Sequence, residues 1–275
     1  MSAALIVFLV SIGAGGFGSM VGIGGGLVIV PLLTLALGYD VKVAIAASII
    51  GVIATSLSAS PRYIRSGIAD RRLGILLLVA AALGGLVGGI TAGYLDGRTL
   101  SLLFALLLTV VALRMLWQLR HPVMRAPVTE EDVASGFTST FIEPTNGEVM
   151  AYRARRVVPG TLVSFVAGNV SGLLGVGGGV INVPTLNVLM GVPIRVATTT
   201  STYMLAATAT ASAVVYLASG QLDPLLAAPV ALGVIVGARV GARLSMRLSQ
   251  EFLRLAFVVV AAVFAVSMFL EFVSL

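Results

Sequence analysis

Residues 22–31 read GIGGGLVIVP and residues 175–184 read GVGGGVINVP, one pattern written twice with a displacement of 153 positions. The displacement holds without a gap far from the motif. Ser11, Ala14 and Gly15 return as Ser164, Ala167 and Gly168, Ser48 as Ser201, Tyr63 and Asp70 as Tyr216 and Asp223, and Gly84 and Gly88 as Gly237 and Gly241. Self-similarity over such a span marks two copies of one structural unit, and in an apolar chain this is the usual ground plan of a secondary transporter.

The chain is apolar throughout. Of its 275 residues 58% are hydrophobic and 10% charged, with a mean hydropathy of +1.09, which is too little charge for a soluble domain and points to an integral membrane protein. Apolar stretches cover 3–38, 43–60, 73–95, 99–119, 158–190, 196–219, 224–246 and 252–273. Their continuous Gly- and Ala-rich texture predicts helices and not the alternating strands of a barrel. Met1 to Ser11 carries no basic residue ahead of its apolar run, so it does not read as a cleavable signal. There is no cysteine, which excludes disulfides and thiolate metal sites, and no cofactor motif is present. The net charge of +6 fits basic loops on the inner side of a membrane better than nucleic acid, for which no soluble domain exists.

The arginines orient the copies. In the first, the loop 61–72 holds Arg62, Arg65, Arg71 and Arg72, while the next, 95–98, holds Arg98 beside Asp96; in the second the bias reverses, with no basic residue in 217–224 and Arg243, Arg247 and Arg254 in the loop that follows. Basic loops stay in the cytoplasm, so equivalent loops are expected on opposite sides and the repeats inverted, within a bacterial-type inner membrane. Both 3–38 and 158–190 must then start and end on one side. A straight helix of that length would reach roughly 50 Å, against a hydrocarbon core of about 30 Å, so each is expected to bend back at its Gly-rich motif. The expected architecture is an all-α polytopic membrane protein of two inverted repeats, each a Gly-bent hairpin, re-entrant or fully spanning, plus three transmembrane helices. Residues 1–119 form the first repeat, 120–157 a cytoplasmic hydrophilic loop and 158–275 the second repeat. Within the loop, β-favouring residues flank Pro144, Thr145, Asn146 and Gly147, which predicts a small β-hairpin.

A half-helix from just after Gly26 to near Gly38 is about 18 Å long, so its N-terminus lies at mid-membrane depth. Glycines there let the backbone turn tightly and approach a ligand, and the free N–H groups at the positive helix end favour an anion. Pro31 fits early in such a helix, where a missing N–H disturbs least. Gly178, Gly179 and Pro184 repeat the device from the other side, so two tips meeting at the midplane would form an anion site between the repeats. A phosphate-binding loop is excluded because no Lys followed by Ser or Thr comes after the glycines. Gly84, Gly88, Gly237 and Gly241 read instead as helix-packing glycines.

These paired GxGGGxxxxP motifs, the repeat length and the central hydrophilic loop resemble the sulfite exporter TauE/SafE family of membrane transporters over essentially the whole chain. The matching positions are Gly22, Gly24, Gly25, Gly26 and Pro31, with Gly175, Gly177, Gly178, Gly179 and Pro184. The resemblance implies transport of small sulfur-containing anions or organosulfonates, without naming the substrate.

Asn169, Asn182 and Asn187 stand where the first copy has Gly16, Ile29 and Thr34, so specificity is expected to lean on the second repeat. Buried amides need partners, which a ligand or a neighbouring helix can supply. The run Thr198, Thr199, Thr200, Ser201 and Thr202 with Tyr203, and Ser48 as the first-copy counterpart of Ser201, would line a polar path unless the hydroxyls bond their own backbone. Lys42 and Arg195 are equivalent residues before spans and either draw anions into vestibules or snorkel. Arg239 lies inside an apolar stretch and is a functional candidate on that ground, or snorkels to the membrane end with Arg243. No carboxylate sits at mid-membrane, so coupling stays open between Na+, H+ moving with the substrate, and uncoupled flow. The leading reading is a secondary transporter of small anions working by alternating access, and the alternative is a gated anion channel. An intramembrane enzyme is a third class, but the single histidine, His121, lies in the loop and no convincing acid/base pair or cysteine supports it, so no enzyme is expected. Oligomeric state is not encoded in any motif.

Overall fold

The computed structural model describes residues 3–21, 24–65, 68–120, 138–142, 149–245 and 250–274. The chain order is α1 (Ala3–Val21), α2 (Gly26–Pro31) continued by a π turn (Leu32–Ala36), α3 (Val41–Arg65), α4 (Arg71–Tyr94), α5 (Gly97–Arg120), β1 (Thr138–Ile142), β2 (Val149–Arg153), α6 (Val157–Leu174), α7 (Gly179–Pro184) continued by a second π turn (Thr185–Leu189), α8 (Ile194–Ala218), α9 (Pro224–Ser245) and α10 (Gln250–Ser274). The displacement of 153 carries α2, its π turn and α3 onto α7, its π turn and α8 residue for residue. Duplication in the sequence is thus duplication of backbone. Among the described residues six helices are long and apolar enough to cross a membrane, which makes the chain a multi-pass membrane protein.

Packing alternates the copies. α1 lies along α9 and α6 along α4, α3 packs on α8 and α5 on α10, and α3 also touches α9 as α8 touches α4. Exchanging the repeats maps this contact pattern onto itself. What selects the inner face of a helix is side-chain size. The buried face of α4 is Leu73, Gly74, Leu77, Ala81, Gly84, Gly85, Gly88, Gly89 and Ala92, whereas Ile75, Leu76, Val79, Leu83, Val87 and Ile90 are exposed. With hydrocarbon outside there is no gain in burying the larger residues, and small ones let backbones approach closely. A Cβ on Gly84 would run into Phe165 O, on Gly88 into Asn169 O, on Gly237 into Ile12 O and on Gly241 into Gly16 O. These four glycines therefore form the α4–α6 and α1–α9 seams.

Each short arm of the broken hairpins carries its own punctuation. Pro31 is the sixth residue of α2 and Pro184 the sixth of α7, further along than the early position the sequence suggested. The missing N–H therefore falls inside the hydrogen-bond ladder, and in both repeats the helix widens into a π turn directly after the proline. The arms end on left-handed glycines, Gly38 (φ +70°) and Gly191 (φ +74°). Beyond them the N–H of Tyr39 donates to Leu33 O (3.1 Å) and that of Val192 to Leu186 O (2.9 Å), a seven-to-one closure one residue wider than the six-to-one bond of a Schellman stop.

The expected β-hairpin is present. β1 and β2 pair antiparallel from Thr138↔Arg153 to Ile142↔Val149, a register centred between Thr145 and Asn146; the turn itself lies outside the described residues. Phe141 and Tyr152 meet edge to face (6.2 Å) and are buried with Leu73, Leu77, Leu186, Met190, Val196 and Met204 in a second apolar core, separate from the one between the tips.

Candidate functional site at the crossed glycine tips

Two left-handed glycines make the bends. Gly24 (φ +82°) and Gly177 (φ +77°) are equivalent positions, and the left-handed backbone they adopt costs a side-chain-bearing residue about 1–2 kcal/mol. Gly25 and Gly178 follow as N-caps with no side-chain cap. The N–H groups of Val28 and Ile29 donate to Gly25 O (3.1 and 3.0 Å) and those of Ile181 and Asn182 to Gly178 O (3.2 and 2.8 Å). The first N–H groups of each arm, on Gly26 and Leu27 and on Gly179 and Val180, stand before this ladder at the positive helix end.

The tips touch. A Cβ on Gly26 would collide with Gly175 O, come within 2.9 Å of Val52 Cγ2 and within 3.1 Å of Val176 Cα. A Cβ on Gly177 would meet Val52 Cγ1 at 3.1 Å and Leu205 Cδ2 at 3.4 Å, and one on Gly24 would meet Leu205 Cδ1 at 3.6 Å. Val52 of α3 and Leu205 of α8 are themselves equivalent, so the tips bracket one symmetric pair of side chains. All residues from Gly24 to Pro31 are buried.

Ser48 is committed to this junction, its hydroxyl lying 2.8 Å from both Ile45 O and Gly175 O, where it ties the second tip to α3. Its counterpart Ser201 is 1% exposed and its hydroxyl has no partner; it sits one turn before Leu205 on α8. Asn182 is likewise 1% exposed, with Oδ1 unpartnered and Nδ2 3.0 Å from where a Gly178 Cβ would lie. Asn182 Oδ1 on the second arm and the Ser201 hydroxyl on α8 are thus buried without protein partners, whereas the matching first-repeat positions hold the apolar Ile29 and a satisfied serine.

Other candidates fall elsewhere. Asn169 lies on the α4–α6 seam beside Gly84 and Gly88, and Asn187 donates to Val192 O (2.9 Å), closing its own turn. Thr199 donates to Arg195 O (2.9 Å) or Val196 O (3.1 Å), within its own helix. Lys42 is half-buried and its Nζ donates to Gly93 O (3.2 Å) near the end of α4, and Arg195 is exposed in the first turn of α8. Arg239 is exposed on α9, six residues before Ser245. Gly22 lies outside the described residues. Sequence reasoning missed Val52, Leu205 and Val176; the 153-residue displacement relates Val52 to Leu205, one turn on from Ser48 and Ser201, but nothing in the motif marks them.

Duplicated helical bundles with broken hairpins meeting between the copies define a class, the polytopic membrane transport proteins built from internal repeats. Residues 7–268 match the family model described as sulfite exporter TauE/SafE. The chain is also 30% identical over 237 residues, 82% of its own length and 84% of the relative's, to the probable membrane transporter protein YunE of Bacillus subtilis (strain 168). The protein belongs to the sulfite exporter TauE/SafE family, a family of membrane transporters and not of enzymes. No solved structure matches it.

Proposed function

We propose that this transporter carries small anions, sulfur-containing oxyanions or organosulfonates, by alternating access between two inverted repeats. The observation that carries the reading is the meeting of two uncapped, glycine-lined helix N-termini, Gly25–Leu27 and Gly178–Val180, with the unpartnered Asn182 Oδ1 on the second arm and the partnerless Ser201 hydroxyl one turn before Leu205. Backbone N–H groups at positive helix ends suit an anion without specifying its shape, and glycine leaves room for it to approach. Gly24 and Gly177 hold the bends, while Pro31 and Pro184 fix the arms that carry the tips. In the closed arrangement the tips are in contact, so the anion enters as they part.

The reversed arginine bias between the copies supports the inversion. Among the described residues no side chain at the tips selects between H+ and Na+ as coupling ion. The test is counterflow in proteoliposomes. Vesicles preloaded with unlabelled sulfite should accumulate labelled sulfite transiently, and methanesulfonate or thiosulfate inside should drive the same overshoot if the class is right. Flux that neither saturates nor shows counterflow would make the protein a gated anion channel, and no flux of any sulfur anion would overturn the substrate class.

A further inference from the structure

The repeats match residue for residue at the arms, yet their outer ends are not treated alike. At the end of the second arm Met190 and Val192 are fully buried, whereas their counterparts Leu37 and Tyr39 are partly exposed. The difference is the β1–β2 hairpin. The backbone N–H of Arg155, just after β2, donates to Met190 O (2.9 Å), and Phe141, Tyr152 and Ala154 pack with Leu186, Met190 and Val192.

Three elements converge on one side chain there. Asp70 Oδ1 accepts the Leu73 N–H (3.0 Å) and caps α4, Asp70 Oδ2 accepts the Tyr152 hydroxyl (2.7 Å), and the Asp70 N–H donates to Thr200 Oγ1 of α8 (2.9 Å). Asp70 thus joins the start of α4 in the first repeat, α8 in the second and the hairpin between them. Burial and the Asp70 carboxylate hold the Tyr152 phenol well above its ordinary pKa, so it stays a donor. At the equivalent place in the other half, Asp223 is exposed and accepts a local N–H from Leu225 (2.9 Å), and Ala47 replaces Thr200. Among the described residues the clamp is built at one end only.

We infer that the β1–β2 hairpin is a latch, fastened through Tyr152–Asp70–Thr200, that holds this one end of the transporter closed and must release for substrate to pass there. The inference rests on the alternating-access reading. The latch spans the parts that such a cycle would move, because α4 and α8 belong to different repeats and pack on each other, and the second arm ends directly beneath the hairpin. Any motion that separates the α4 start from the α8 start breaks the Asp70–Thr200 bond, and any motion of the second arm outward strips Met190 and Val192 from the hairpin. A charge-assisted hydrogen bond in a buried setting sets the scale, about tenfold in the opening equilibrium for its loss.

The natural absence of cysteine allows a direct test. Val192→Cys places a near-isosteric probe under the latch and Tyr39→Cys places its counterpart at the other end. In the Tyr152→Phe background, which keeps the ring contact with Phe141, modification of Val192→Cys by a hydrophilic maleimide should rise about tenfold and sulfite counterflow should rise several-fold, with Tyr39→Cys labelling unchanged. Thr200→Val, which removes the other bond of the clamp, should act in the same direction. Unchanged Val192→Cys labelling in both backgrounds overturns the latch. So does faster labelling with counterflow unchanged or lowered, which would mean that the hairpin undocks by itself, and so does equal acceleration at both probes, which would mean general loosening. If the parent shows no counterflow at all, the transporter reading fails, while the labelling comparison still decides whether the clamp holds this end shut.

Discussion

Gly26 and Gly25 are neighbours at the same tip, and the structure assigns them different tolerances. On Gly25 an added Cβ meets Ile29 Cδ1 at 3.2 Å, the mobile end of a side chain, and Gly15 Cα at 3.4 Å, an ordinary contact. On Gly26 it meets the carbonyl oxygen of Gly175, which belongs to the backbone of the opposite tip, with Val52 Cγ2 at 2.9 Å behind it. Real Cβ atoms essentially never approach below 3.0 Å, so in Gly26→Ala the tips must separate, while in Gly25→Ala a methyl group rotates aside. Overpacking of a fixed core costs about 1–3 kcal/mol and a relieved contact less than about 1 kcal/mol. The expected difference is about 2 kcal/mol, or roughly 30-fold in the equilibrium that keeps the tips together. Thermal unfolding in one detergent, with and without sulfite, measures it. Gly26→Ala should melt lower than Gly25→Ala and lose most of the sulfite-induced shift, because its two sets of N–H groups no longer converge. If both variants melt alike and respond alike to sulfite, the tips do not touch as described and the site between them is wrong.

Single cysteines test the inversion: Ile68→Cys and Gln250→Cys should label from one side of sealed vesicles, Gly97→Cys and Gln221→Cys from the other, and labelling of positions 68 and 221 from the same side would refute it. Gly88→Ala and Gly241→Ala drive a methyl into the Asn169 and Gly16 carbonyls, and should each destabilise by about 1–3 kcal/mol while flux per folded molecule is retained. Arg239→Gln should leave flux near the parent rate because the side chain is exposed on the outer surface of α9, and a severe loss would place it in the mechanism. Hairpin docking should be insensitive to pH from about 6 to about 9: Tyr152 has a raised folded pKa, so its contribution is complete below the ordinary phenol value of about 10 and fades as pH climbs beyond it. Val192→Cys labelling that accelerates already near pH 8, beyond the ordinary rise in thiolate seen in an unfolded control, would contradict this.

The duplication, the membrane class, the eight apolar stretches to within a few residues, the bends at the two glycine motifs, the β-hairpin and the family are all legible in the order of the residues. Each of these is a local or repetitive signal. Composition sets the solvent, glycine sets where the chain turns, and a displacement of 153 residues is visible without any contact being known. Which helices pair across the repeats, that Gly26 touches Gly175, that Ser48 is consumed while Ser201 is left open, and that Tyr152 reaches Asp70 across 82 positions come from packing alone. The reason lies in the membrane. A helix in water declares its buried face by hydrophobicity, but on α4 the lipid-facing residues are more apolar than the buried ones, and the inner face is marked only by small side chains that serve equally for packing and for ligand approach.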